Sequence, residues 1–162
     1  MGQSPSSTNY TNNPEDHVLV QGNADMSCGW VVPRVWTTEI TKLAHSNDLI
    51  FSVRAPVGDI GKTRYPVVLG RGVAAIRGTE FIFQALYAMK QNKVWDATSA
   101  GSTFKAISGR DLVAQSIRVP SENEQQQIGG LLERLDHLIT LHQRKAYSSL
   151  NLWPSIPLLR IR

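Results

Sequence analysis

From Ser121 onward the chain admits one kind of structure. Ser121-Glu-Asn-Glu124 is a capping box: the serine hydroxyl accepts from an unpaired amide at the helix start, and the glutamate reaches back to the cap amide. Glu122 and Glu124 suit the positive end of a helix dipole, and Arg144 and Lys145 the negative end. Between them Ile128, Leu131, Leu132, Leu135, Leu138, Ile139 and Leu141 or His142 make an apolar stripe at helical spacing. Such a stripe either docks on the chain's own core or forms a seam with a second helix. After Tyr147 the pattern stops, and Pro154 and Pro157 oppose any continuation. The expected boundaries are a domain over 1–120, a helix over 121–147 and an irregular tail over 148–162.

The first 120 residues have the opposite character: short apolar runs cut by glycine and proline. Strands are predicted at His17–Gln21, Trp30–Trp36, Asp48–Arg54, Val67–Leu69, Val73–Ile76 and Gln115–Val119, with Pro33 pushing the second toward an edge. Residues 3–16 read as an exposed lead-in. Phe81, Ile82, Leu86 and Met89 switch to helical spacing over 80–93, with Thr79 as N-cap, and Ser108 is placed to cap a short turn through Leu112. The expected fold class is mixed α/β (α+β): a β-rich domain with short helices, followed by one long C-terminal helix. No apolar run approaches the roughly 18–20 residues of a membrane span, and the chain is expected to be cytoplasmic. Cys28, the single cysteine, precludes an intrachain disulfide and a cysteine-rich zinc site. It is expected to be a small, partly buried residue beside a turn.

Charge is unevenly spread. Residues 51–77 hold Arg54, Lys62, Arg64, Arg71 and Arg77 against Asp59, so five minus one gives +4, the formal net charge of the whole chain. A concentrated basic surface suits a polyanion, and DNA is the commonest large one. These side chains are candidates to hold phosphates or read guanine, with Gly58, Gly61, Gly70 and Gly72 letting the backbone approach a duplex; a plain solvated face is the alternative for each. Ser102, Thr103 and Lys105 are a second candidate contact, although Gly101–Lys105 also fits a tight turn with Phe104 buried. Gln21, Asn23 and Asp25 form a weaker third set, equally common in turns. Trp30, Trp36, Trp95 and Trp153 form no regular stripe and read as core or rim residues rather than a base-stacking platform.

Nothing in the chain reads as a catalytic constellation. The carboxylates are scattered, Glu39-Ile-Thr-Lys42 has the wrong spacing for a nuclease, and there is no nucleotide-binding loop or methyl-donor pocket. His137 and His142 lie roughly 140° apart around a helix, a poor metal pair.

Three blocks in order resemble a known family: Val-Arg-Ala-Pro-Val-Gly-Asp-Ile-Gly at 53–61, Gly-Arg-Gly-Val-Ala-Ala-Ile at 70–76 and Gly-Ser-Thr-Phe-Lys-Ala-Ile at 101–107. With Gln21–Asp25 and the helix after Pro120, they resemble the target-recognition domain of type I restriction-modification specificity (S) subunits over roughly residues 1–145. The resemblance implies half of such a subunit: one domain that recognises double-stranded DNA, and one helix of a coiled spacer. It implies a non-catalytic role beside methyltransferase (M) and restriction (R) subunits. S-adenosylmethionine, ATP and magnesium are then cofactors of those partners, and none is bound by this chain. It favours the seam reading of Ile128, Leu131, Leu132, Leu135, Leu138 and Ile139, with a homodimer through the helix as one outcome. A non-specific DNA-binding module and a helix-mediated scaffold are the alternatives.

Overall fold

Leu49–Ser52 is buried at every residue, and the rest of the molecule is arranged around it. The computed structural model describes residues 1–98 and 106–150, the side chains of 97–98 and 146–150 excepted. In chain order the strands are β1 Tyr10–Thr11, β2 His17–Val20, β3 Met26–Ser27, β4 Trp30–Val31, β5 Trp36–Thr37, β6 Leu43–Ala44, β7 Leu49–Ser52, β8 Ile60–Lys62, β9 Val67–Leu69 and β10 Val73–Ile76. The helices are α1 Glu80–Gln91, α2 Val94–Thr98, α3 Gly109–Val113 and α4 Glu122–Leu150. Among the described residues the strands form two five-stranded mixed sheets, ordered β1-β5-β2-β9-β6 and β10-β7-β8-β4-β3.

Because side chains alternate across a strand, β7 and the residue after it feed two cores. Leu49, Phe51 and Val53 join Ile60, Phe83, Leu86, Trp95 and Ile107 on the helix side. Ile50 joins Val20, Val31, Val67, Leu69 and Val73 between the sheets. Phe51 meets Trp95 edge-on, with ring centroids 5.0 Å apart and planes at 69°. Such a pair adds about 0.5–1.5 kcal/mol to its burial. Ser52 is buried without an orphaned hydroxyl, since its Oγ donates to the Arg54 carbonyl at 2.9 Å.

Register decides where the loops emerge. β10 runs antiparallel to β7, pairing Val73 with Ser52 and Ile76 with Leu49. β8 pairs Lys62 with Leu49. The parallel pair β2 and β9 aligns Val20 with Leu69. Arg54, Arg71 and Gln21 therefore emerge together at the Ser52 end of the second sheet, while Lys62, Arg64 and Arg77 emerge at the Leu49 end.

Several expectations are corrected. Trp30–Trp36 is not one strand: β4 and β5 belong to different sheets, with Pro33 in the connection. β3 and β4 form a hairpin whose two-residue turn, Cys28–Gly29, has φ of +49° and +76°, the all-positive pattern that matches strand twist. Cys28 at this turn is exposed rather than partly buried. Gln115–Val119 is not a strand. The N-terminal segment is largely exposed, as expected of a lead-in, yet it is tied to the sheets. Gly2 N donates to the Val73 carbonyl at 2.9 Å, Gln3 N donates to the Leu69 carbonyl at 2.8 Å, and β1 pairs with β5.

Both capping boxes form. In α3, Ser108 Oγ accepts from Asp111 N at 3.2 Å. In α4, Ser121 N and Oγ donate to Glu124 Oε2 at 3.1 and 2.6 Å. The Ser121 hydroxyl, then its amide, hold the Glu124 carboxyl below its ordinary range. Thr79 stands at the N-cap position of α1, but its hydroxyl donates to Gln125 Oε1 at 3.2 Å instead of capping. α4 runs to Leu150, three residues past the expected end at 147.

α4 has two faces. Gln125, Gly129, Glu133 and Asp136 meet α1 and its surroundings. At Gly129 the approach is so close that an added Cβ would sit 3.0 Å from Glu80 Cβ and Phe81 N. Ile128, Leu131, Leu135 and Leu138 lie roughly 120° around the helix from that face. They are 40%, 58%, 46% and 50% exposed, with Ile139 at 55% and Leu132 half-buried, so this stripe is not part of the core.

Candidate nucleic-acid interface

At the Ser52 end of β7, four chain segments converge on a polar cleft of about 260 Å³ lined by Ser4, Gln21, Gly22, Asn23, Arg54, Arg71 and Gly72. Main-chain hydrogen bonds fix its walls. Gly70 N donates to the Val20 carbonyl at 2.8 Å, and Val53 N donates to the Gly72 carbonyl at 2.9 Å. Arg71 N donates to Ser4 Oγ at 3.1 Å. The buried Asp25 carboxylate accepts from Gln21 N at 2.7 Å and Gly22 N at 3.1 Å, which shapes the loop after β2. Asp25 is thus a loop organiser, and Gln21 and Asn23 are the members of that set that line the cleft.

Gly72 is glycine for an internal reason. A Cβ there would lie 2.1 Å from the Gln21 carbonyl oxygen. Gly58, with φ of +90°, packs against Trp95, whose Cδ1 a Cβ would meet at 2.5 Å. Gly61 and Gly70 likewise abut Met26 and Gln21. These glycines therefore let the chain approach itself.

The five basic side chains divide. Arg54 and Arg71 are exposed, share the cleft, and have no carboxylate partner among the described residues. Two unpaired guanidiniums beside Gln and Asn side chains can hold a phosphate and hydrogen-bond a base edge. Arg64 and Arg77 are also exposed but lie at the opposite end of β7. The Arg64 guanidinium stacks over Trp30, 4.3 Å from the ring centroid. Tyr65 beside it has its hydroxyl pKa raised by burial, against the opposing pull of Arg64.

Lys62 is not an open cation. Its ammonium bonds Glu80 Oε2 at 2.6 Å and lies 3.5 Å from Glu133 Oε1. It also sits 4.7 Å from the Trp30 ring centroid and 5.1 Å from that of Phe83. Only 16% of the side chain is exposed. The sequence placed Lys62 in a basic loop; β8 instead turns it into the junction with α1 and α4. The one acid of the stretch, Asp59, pairs with Lys90. The concentrated basic surface expected from the sequence is thus two separate regions.

Ser102, Thr103 and Lys105 lie outside the described residues. Their neighbour Ala106 bridges to Arg54, and Ile107 N donates to the Val53 carbonyl at 2.9 Å, so the chain re-enters at the cleft end. Ser4, Ser52 and Ala55 are cleft residues that sequence reasoning missed, and the contact of Ser4 is to a main-chain amide that no motif marks. No group of three or more potential metal ligands occurs among the described residues. None of the described helices is long and apolar enough to cross a membrane.

The family model of the type I restriction modification DNA specificity domain matches residues 5–151. A Methanocaldococcus jannaschii protein assigned as the type I restriction enzyme MjaX specificity subunit is 32% identical over 151 residues, covering 90% of this chain and 35% of that protein. A chain from a structure concerned with complex assembly and conformational transition of the type I R-M system superposes with a TM-score of 0.80 at 28% identity, covering 92% of this chain and 38% of that one. The HsdS subunit from Thermoanaerobacter tengcongensis superposes with a TM-score of 0.74 at 29% identity, over 90% and 36%. The type I S subunit from M. genitalium, at 19% identity and a TM-score of 0.55, shares the fold. The chain spans about a third of the length of these relatives. On the span of this match, the chain belongs to the type I restriction-modification DNA specificity domain family.

Proposed function

We propose that this chain is a sequence-specific reader of double-stranded DNA, acting as one recognition unit of a type I restriction-modification complex. The observation that carries the reading is the cleft at the strand ends, where exposed Arg54 and Arg71 flank Gln21 and Asn23 without a neutralising carboxylate among the described residues. Arginine there grips phosphate or guanine, and the amide side chains pair with adenine. Ser102, Thr103 and Lys105, which precede Ala106 in the sequence, are proposed as further contacts. Arg64 and Arg77 serve as outlying phosphate contacts, worth less than the cleft pair.

The role is non-catalytic. The chain positions methyltransferase and restriction subunits, which bind S-adenosylmethionine, ATP and magnesium, in the cytoplasm. Residues 1–120 recognise DNA and 121–147 form the spacer. The exposed stripe of Leu131, Leu135 and Leu138 supports pairing with a second helix, and a second copy of this chain supplies one directly. Two copies read a split, two-fold-related site.

The test is selection of duplexes from a random pool by the chain co-purified with a type I methyltransferase subunit. The expected outcome is one enriched bipartite motif. Equal retention of all duplexes, with affinity that depends only on salt, would instead identify a non-specific module.

A further inference from the structure

We infer that Lys62 is a positioning residue: its ammonium, held between the rings of Trp30 and Phe83, joins Glu80 of α1 to Glu133 of α4 and fixes the direction in which α4 leaves the domain.

The contacts that hold α4 to the domain are largely polar and centre on this point. Lys62 Nζ reaches Glu80 at 2.6 Å and Glu133 at 3.5 Å. Gln84 Nε2 bridges from Glu80 Oε1 at 3.1 Å to Asp136 Oδ2 at 2.8 Å. Thr79 Oγ1 donates to Gln125 at 3.2 Å. Gly129 lets the two helices touch between these bonds. The apolar stripe faces elsewhere, so it does not set the angle. A largely desolvated ammonium attracts both carboxylates more strongly than an exposed one would, and the two rings restrict where it can sit. Rotating α4 away from α1 separates Glu133 from a cation that Glu80 and the two rings hold back.

The consequence for DNA rests on the proposed function above. If α4 carries a second recognition unit, its direction sets the separation between the two parts of the site. Lys62 then governs spacing without touching DNA.

The direct test does not depend on DNA. In a Cys28→Ser background, spin labels at Glu15→Cys and Arg144→Cys, both exposed positions, report the distance from the domain to the far part of α4. The parent gives one narrow distribution. Glu133→Lys puts a like charge against Lys62, and Lys62→Met keeps the apolar stem between the rings while removing the cation. Each is expected to shift or broaden the distribution by about 5 Å, because Arg144 lies roughly 16 Å beyond Glu133 along the helix. Lys62→Arg restores a narrow distribution. Glu133 is 61% exposed, so Glu133→Lys decides the matter even if Lys62→Met fails to fold. On duplexes carrying two selected sites at varied separation, Glu133→Lys loses the spacing preference while single-site affinity stays within about threefold, which simple destabilisation would not do. A distribution unchanged in Glu133→Lys overturns the assignment, and a spacing preference that survives the movement overturns its consequence for DNA. Absence of DNA binding by the parent overturns the function proposed above and leaves the distance measurement standing.

Discussion

The two ends of β7 use the same residue types for opposite purposes. At the Ser52 end, Arg54 and Arg71 project into an open cleft, and the scaffold beneath them is main chain: Gly70 on Val20, Val53 on Gly72, Gly2 on Val73. At the Leu49 end, Lys62 is enclosed by Trp30, Phe83, Glu80 and Glu133, and its charge is used inside the molecule. Both lie within one basic stretch of sequence. What separates them is the pairing of β7 with β8 and β10, which sends alternate loops to opposite ends. Charge density along a chain is therefore a poor measure of charge density on a surface.

The sharpest way to break this comparison is to neutralise one end at a time. Arg54→Ala with Arg71→Ala is expected to weaken duplex binding by about 4 kcal/mol, near a thousandfold, taking about 2 kcal/mol for each contact. The log–log salt slope should flatten by roughly 2. Arg64→Ala with Arg77→Ala should lower affinity about tenfold or less; equal losses from the two pairs, read by fluorescence anisotropy at fixed salt, would erase the distinction.

Next in size is the outer face of α4. Leu131→Gln with Leu138→Gln should weaken self-association by about 3 kcal/mol, a little over a hundredfold, because each leucine loses a large part of its burial. Thermal stability of the domain should hold, since both side chains are already exposed. Sedimentation equilibrium measures the first and calorimetry the second; a parent that is monomeric at high concentration would remove the seam.

Gly72→Ala asks whether the cleft's walls are structural. The added methyl meets the Gln21 carbonyl oxygen, and denaturant melts should show a loss of about 2 kcal/mol. Unchanged stability would mean the loops at the Ser52 end are not braced as described.

The smallest expected effect is at the start of α4. Ser121 holds the Glu124 carboxyl below its ordinary value, so the interaction stabilises the folded helix fully above the unfolded glutamate's pKa. That contribution is lost as pH falls through the lower folded value. Helix circular dichroism should therefore fray on acidification in the parent, and the acid-dependent part should shrink in Ser121→Ala.

Local signals made much of the fold legible. Val67–Leu69 and Val73–Ile76 declare themselves by short apolar runs bounded by proline or glycine, and Ser108 with Asp111 and Ser121 with Glu124 mark two helix starts. Strands of two residues, such as β3 and β6, are too short for any alternation to show. β8 is three residues with glycine at its centre, so nothing in the sequence told that Lys62 would lie opposite Leu49. The N-terminal segment was illegible for another reason: Gly2 and Gln3 are held by main-chain bonds, which carry no side-chain signature. At the site, Arg54, Arg71, Gln21 and Asn23 were each legible by residue type. Their meeting depends on β2 lying parallel beside β9, a long-range pairing that no local pattern encodes.

Because main-chain bonds, together with Ser4 and Asp25, brace the cleft, its remaining polar side chains are nearly independent variables. Positions 21, 23, 54 and 71 can be exchanged without disturbing a strand or emptying the interior. A protein made this way can acquire a new vocabulary while its architecture stands still, and engineers can vary those four positions as a compact library.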